Sequence, residues 1–256
     1  MFRAGRLGWR REPDRPARLV VMTTAEDTRL VLWDIDHTLI ENRGFGRLVY
    51  ERIFPRVVGR PLRALADVHG RTELDIIHDT LALHGLEPTE DLVARLSAAR
   101  TAAYREGEGE LAALGWALPG AEAALRSLAA DPRVHQSVLT GNTLEVAEVK
   151  LRAFGLDGLL DLASGAYGDD AHDRAELVGI ARRRHRAVTG RTATEETSVL
   201  VGDTPHDVLA GLRGGARVVG VATGVYSVAD LRDAGAVRVL ANLEDLALVR
   251  EAILTA

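Results

Sequence analysis

The sequence predicts an α/β protein: a doubly wound parallel sheet with a helical module inserted after the first strand. Three observations carry this expectation. Short apolar runs that end abruptly in polar residues alternate with helical stretches, the alternation stops between about positions 44 and 118, and polar clusters follow three of the apolar runs directly.

The first strand is the run Leu-Val-Leu-Trp after Arg29, closed by Asp34, as a strand buried on both faces reads at its carboxyl end. Further strands are expected at 136–139, 159–163, 198–201, 217–221 and 237–240. Helices are expected between them, over 120–130, 143–154, 173–186 and 207–214. In such a sheet ligands bind outside the carboxyl ends of the strands. The module at 44–118 is expected to hold helices over 47–57, 62–68, 73–84 and 89–106, with Thr72 and Thr89 as N-caps. Gly44 and Gly46 at its entrance and Pro119-Gly120 at its exit suit linkers that let it move. The chain thus divides into a core of residues 29–43 and 119–256, a helical cap of residues 44–118, and an arginine-rich tail, 1–28, read as disordered.

With 256 residues, 46% of them apolar and 27% charged, the chain is long enough for one large core and a smaller module. A net charge of −5, with no basic stripe beyond the first residues, gives no electrostatic support for binding nucleic acid or a membrane surface. Arg3, Arg6, Arg10, Arg11, Arg15 and Arg18 are not accompanied by an uninterrupted apolar run, so the start reads as neither signal peptide nor anchor. Met22, the only other methionine, is a candidate natural start. The absence of cysteine excludes disulfides and thiol chemistry and is compatible with a cytoplasmic location.

Three segments deliver polar residues just after a strand: Asp34-Ile35-Asp36-His37-Thr38, Thr140-Gly141-Asn142, and Gly202-Asp203-Thr204-Pro205-His206-Asp207. A doubly wound sheet brings all three to one rim, where Asp34, Asp36, Asp203 and Asp207 would repel one another unless a cation neutralised them. A hard ion with oxygen ligands, such as Mg²⁺, answers that need. The same geometry suits phosphoryl transfer: an ionised aspartate attacks phosphorus, and a carboxyl two residues on protonates the leaving oxygen and later activates water.

Asp-Ile-Asp-His-Thr-Leu, Val-Leu-Thr-Gly-Asn and Val-Gly-Asp-Thr-Pro-His-Asp resemble motifs one, two and four of the haloacid dehalogenase superfamily, in order and spacing, from about Leu30 to the C-terminus. The resemblance implies Asp34 as nucleophile, Asp36 as general acid/base and Thr140 as a phosphate ligand, with Gly141 and Asn142 beside it at the substrate. It also implies Mg²⁺ held by Asp34, the main-chain carbonyl of Asp36 and Asp203, with Asp207 in support. Family members often have glycine where His37 stands. Motif three normally supplies a lysine, and here the sequence departs from the pattern. Arg174, one residue after the candidate N-cap Asp173 with Glu176 as its capping-box partner, is the favoured replacement. Lys150 is its competitor, its alternative being an exposed helical lysine.

The insert resembles the cap of the branch that includes phosphoglycolate phosphatase and β-phosphoglucomutase, and Gly70-Arg71-Thr72 is similar to a cap segment that faces the active site there. Arg71 is thereby a candidate contact for a substrate's second anionic or polar group. Asp36 argues against a dehalogenase, which needs no leaving-group acid, and the lack of lysine in 44–118 argues against a phosphonatase. A degenerate binding protein would have lost one of Asp34, Asp36 and Asp203. The expectation is therefore a Mg²⁺-dependent phosphatase acting on a small phosphorylated metabolite, with a sugar-phosphate mutase as the alternative.

Overall fold

The computed structural model describes residues 28–256, so the arginine-rich start and Met22, with the expectations placed on them, lie outside the described residues. Strand β1 (Arg29–Trp33) is followed by a two-residue strand β2 (Ile40–Glu41) and four helices, α1 (Phe45–Val58), α2 (Glu73–Leu83), α3 (Glu90–Glu106) and α4 (Glu108–Leu114). Strand β3 (Trp116–Ala117) then leads to α5 (Ala121–Ala129), β4 (Val134–Val138), α6 (Leu144–Ala153), α7 (Arg174–Thr189), β5 (Ser198–Gly202) and α8 (Pro205–Gly214). The chain closes with β6 (Arg217–Val221), α9 (Val228–Asp233), β7 (Arg238–Leu240) and α10 (Leu246–Leu254). No helix among the described residues is long and apolar enough to cross a membrane.

The main sheet is parallel, in the order β4-β1-β5-β6-β7. Alternation along β1 sends Val31 and Trp33 into a cluster with Leu125 and Leu128 of α5, and Leu30 and Leu32 into another with Leu177 and Val178 of α7. Both faces are thus covered by helices, as a parallel sheet requires. Register does the rest. Trp33 pairs with Val138 on one side and Val201 on the other, so the residues that follow, Asp34, Thr140 and Asp203, emerge together at one rim.

The helices between β2 and β3 share their own apolar cluster, including Phe45, Val49, Ile77, Leu81, Leu96 and Leu111, which also takes in Val146 and Val149 of α6. The two connections to the sheet pair as a short antiparallel ribbon, Ile40 with Ala117 and Glu41 with Trp116.

Two expected elements are absent. Residues 159–163 are not a strand: two 3-10 turns, Asp157–Leu159 and Leu162–Ser164, occupy this stretch, and the Asp161 carboxylate caps the second by accepting from Ala163 N at 3.1 Å. The chain's backbone meets the β4 edge where Asp161 N donates to Gln136 O and where Ala166 bridges Leu139, and the Ser137 hydroxyl adds a bond to Asp161 O. Residues 62–68 are not a helix either. Side chains of α2 and its C-cap take the backbone donors a helix would need, Arg63 N giving to His84 Nε2 and Ala66 N to Thr80 Oγ1.

Candidate active site

The turn after β1 is built by its backbone. Asp34 N donates to Val201 O, and both Leu39 N and Ile40 N fold back to Ile35 O. This tight return places His37 at φ 59°, the left-handed region that glycine occupies most readily. Thr38 reaches across to donate to Asp203 Oδ1 at 3.2 Å.

Asp34, Asp203 and Asp207 are all buried, with one carboxylate oxygen from each within 4.8 Å of the others. Arg174, at the first turn of α7, is the cation between them, its Nη2 donating to Asp34 Oδ1 at 2.8 Å and to Asp207 Oδ1 at 2.6 Å. Its helix is capped by Asp173 from Ala175 N alone, and the same carboxylate pairs with Arg213. Asp207 is further fixed by the capping box that starts α8, accepting from Thr204 N and Oγ1. One arginine does not balance three carboxylates. Burial, followed by the Asp207 charge, raises the Asp34 pKa to about 7 despite Arg174, and burial with the charges of Asp207 and Asp34 raises that of Asp203 to about 9. Asp203 Oδ2 is buried with no hydrogen-bond partner, and the room around it exists because position 224 is glycine, where a methyl group would overlap that oxygen.

Asp36 turns its carboxylate away from this group. Lys150 Nζ donates to its two oxygens at 2.8 and 2.6 Å, and Asn42 and Asn142 add donors at 2.7 and 2.8 Å. Burial acts to raise its pKa, but the Lys150 ammonium and the Asn142 hydrogen bond prevail and hold it well below the usual carboxylate range. Lys150, on α6, is 2% exposed, so the reading of an exposed helical lysine is corrected. A lysine on the face of α6 that turns under α3 is buried by the helix packed above it, and its charge is matched by Asp36. Arg174 and Lys150 are therefore not competitors for one place: each serves a different carboxylate.

The helices between β2 and β3 roof the site. Tyr50 of α1, Glu73 of α2 and Arg100 of α3 meet in the interior, Tyr50 donating to Glu73 at 2.6 Å and Arg100 Nη1 lying 2.7 Å from the other Glu73 oxygen. Arg100 Nη2 also donates to Asn142 Oδ1 at 3.1 Å, and Glu73 N donates to Gly141 O at 2.8 Å. Gly70, at φ 67°, lies so close to Thr204 that a side chain there would overlap its hydroxyl. The cavity under the roof, about 280 Å³, is lined by Asp34, Asp36, Thr140, Gly141, Asn142, Lys150, Arg174 and Asp203 from below and by Arg71 and Arg100, among others, from above. Asp207 lies behind Arg174, fully buried, and Arg71 is tied to Asp79 at 2.7 Å. Sequence reasoning missed Arg100, Glu73 and Tyr50. Their only signal was a polar residue on the inner face of each of three helices, which is visible only once the helices are packed.

Three solved structures share this architecture. A hydrolase from Pseudomonas syringae superposes with a TM-score of 0.63 at 23% identity, covering 86% of this chain and 96% of the other. A predicted phosphatase from Clostridium acetobutylicum gives 0.63 at 19% over 86% and 96%, and a predicted phosphoglycolate phosphatase from Haemophilus somnus gives 0.62 at 18% over 88% and 98%. The HAD-hydrolase-like family model matches residues 164–246. The chain has the haloacid dehalogenase-like hydrolase fold. Among curated proteins no sequence matches it. The family match runs from before α7 through β7 of the HAD-like core, and so includes Arg174, Asp203 and Asp207.

Proposed function

We propose that this HAD-like protein is a Mg²⁺-dependent phosphatase that hydrolyses a small phosphomonoester through an aspartyl phosphate on Asp34, with residues 44–118 as its cap. The observation that carries the proposal is the group of three buried carboxylates with a single arginine among them and an unpartnered oxygen on Asp203. A divalent cation fits such an all-oxygen donor set. Asp34, Asp203 and the main-chain carbonyl of Asp36 would hold it, with Asp207 in support. Bound there, it would supply positive charge for the phosphoryl oxygens.

The chain's own residues account for the chemistry. An Asp34 carboxylate oxygen attacks phosphorus, the bond from phosphorus to the ester oxygen breaks, and Asp36 gives that oxygen its proton. Water then attacks the acyl phosphate and yields a proton to Asp36, the bond to Asp34 breaks, and inorganic phosphate leaves with the carboxylate restored. The donors around Asp36 favour the ionised form that the second step uses. The first step uses the protonated form, and the negative charge of an arriving phosphate beside Asp36 draws that proton onto it. Thr140 and Arg174 stand where nonreacting phosphoryl oxygens would lie, and Arg174 keeps Asp34 aimed. The cavity volume suits a phosphoryl group with a short leaving group, and the neighbours described as predicted phosphatases support hydrolysis.

The test is phosphate release from an aryl phosphate and a panel of small phosphomonoesters, with Mg²⁺ or with chelator, beside Asp34→Asn. Release that chelator stops and the variant lacks is the expected result. Undiminished release by Asp34→Asn would place the nucleophile elsewhere, and isomerisation of a sugar phosphate without release would point to a mutase.

A further inference from the structure

Asn142 holds an unusual position between charges. Its Oδ1 accepts from Lys150 Nζ at 2.8 Å and from Arg100 Nη2 at 3.1 Å, while its Nδ2 donates to Asp36 Oδ2 at 2.8 Å and to Thr140 Oγ1 at 2.9 Å. A flipped amide would set its N–H groups against two cations and its oxygen against a carboxylate, so the two cations fix its orientation. One of them, Lys150, belongs to the core. The other comes from the cap, where it is held by Glu73 and by the Tyr104 ring 4.9 Å away; that ring also lies 5.3 Å from Lys150.

We propose that Arg100 is a positioning residue that transmits the seating of the cap to Asp36 through the Asn142 amide. The proposal rests on the reading of Asp36 as the proton donor and acceptor. With the cap seated, the guanidinium completes the shell of Asn142, whose Nδ2 then orients the Asp36 carboxyl toward the leaving oxygen and holds the Thr140 hydroxyl beside the phosphoryl group. With the cap lifted, Arg100 leaves with Glu73, its partner on the same module, and the amide oxygen keeps only Lys150. The acid is thus fully aligned only when the chamber is closed, and proton delivery is matched to exclusion of water.

A brace that merely holds the cap in place would affect all substrates alike. A residue acting through the proton donor affects them according to how much protonation the leaving group needs. The experiment compares kcat/KM, which reports the phosphorylation step, for 4-nitrophenyl phosphate and for benzyl phosphate, whose alkoxide must be protonated as it departs. Arg100→Lys keeps a charge opposite Glu73 but lacks the second arm to Asn142. It is expected to lose about 10–100-fold on benzyl phosphate and less than about 3-fold on the nitrophenyl ester. The charge-balanced pair Glu73→Gln/Arg100→Met, checked by circular dichroism, is expected to show the same selectivity should the buried lysine perturb the fold. Equal losses on both esters, or none, would overturn the inference. Asp36→Asn is run alongside: selective loss in that variant is the signature of a proton donor, and its absence would instead overturn the assignment of Asp36.

Discussion

Asp203→Asn should inactivate the protein and at the same time make its metal-free form more stable. The substitution is isosteric, so it opens no cavity, and among the described residues Thr38 supplies the only hydrogen bond to this side chain from another residue's side chain. What it removes is a buried charge within 4.8 Å of two others, worth roughly 3 kcal/mol of repulsion per pair at an effective dielectric of about 20. The native carboxyl relieves that repulsion by keeping a proton up to about pH 9, which itself costs stability at neutral pH. The sign follows. A folded-state pKa raised above the unfolded value gives a contribution that is complete below about pH 4 and lost as pH rises toward 9, so the metal-free native protein should weaken over that range. After discounting for relaxation, Asp203→Asn should gain about 1–3 kcal/mol at pH 7.5, a rise in Tm of about 3–10 °C for a domain of this size. Thermal unfolding in chelator and in Mg²⁺ measures it: wild type should be stabilised by the ion, the variant should not respond, and phosphate release should vanish. A lower Tm in chelator, or an unchanged response to Mg²⁺, would refute the reasoning.

Arg174→Met and Lys150→Met should each lower kcat by about 10²-fold or more, since each strips a buried carboxylate of its cation; kinetics on one substrate with both variants settles whether either lysine or arginine is dispensable. Gly70→Ala meets both a left-handed backbone and the Thr204 hydroxyl, so it should unseat the cap, lowering kcat/KM by about 10-fold and speeding limited proteolysis between β2 and β3. His185 is buried beside His135, their rings 4.6 Å apart, and burial with that neighbour's charge lowers its pKa to about 4. Its contribution to stability is complete above about pH 6.5 and lost as pH falls toward 4, so the unfolding free energy from urea titration should drop over that window by about 1–2 kcal/mol more for wild type than for His185→Leu.

The core strands were legible because an apolar run that stops at an acidic residue has few readings: Trp33-Asp34 and Gly202-Asp203 ended strands as expected. Residues 159–163 carried the same apolar signal, but Asp161 capped a 3-10 turn instead, and a local side-chain bond of that kind leaves no period to detect. Residues 62–68 failed for the opposite reason, their donors being claimed by His84 and Thr80 from another part of the chain. At the site, the residues just after strands were readable, because sheet register alone brings Asp34, Thr140 and Asp203 together. Lys150 was a candidate for a different place and Arg100 was not readable at all, because their burial depends on how α3 lies on α6, and only that packing turns two helical cations into partners of Asp36 and Asn142.

The central claim is that Asp34 takes the phosphoryl group, and acid quenching during turnover followed by peptide mass spectrometry tests it most directly. A phosphoryl adduct on the peptide carrying Asp34, discharged by hydroxylamine and missing from Asp34→Asn, is the predicted result. Turnover with no adduct at any quench time, or an adduct on another residue, would contradict the account.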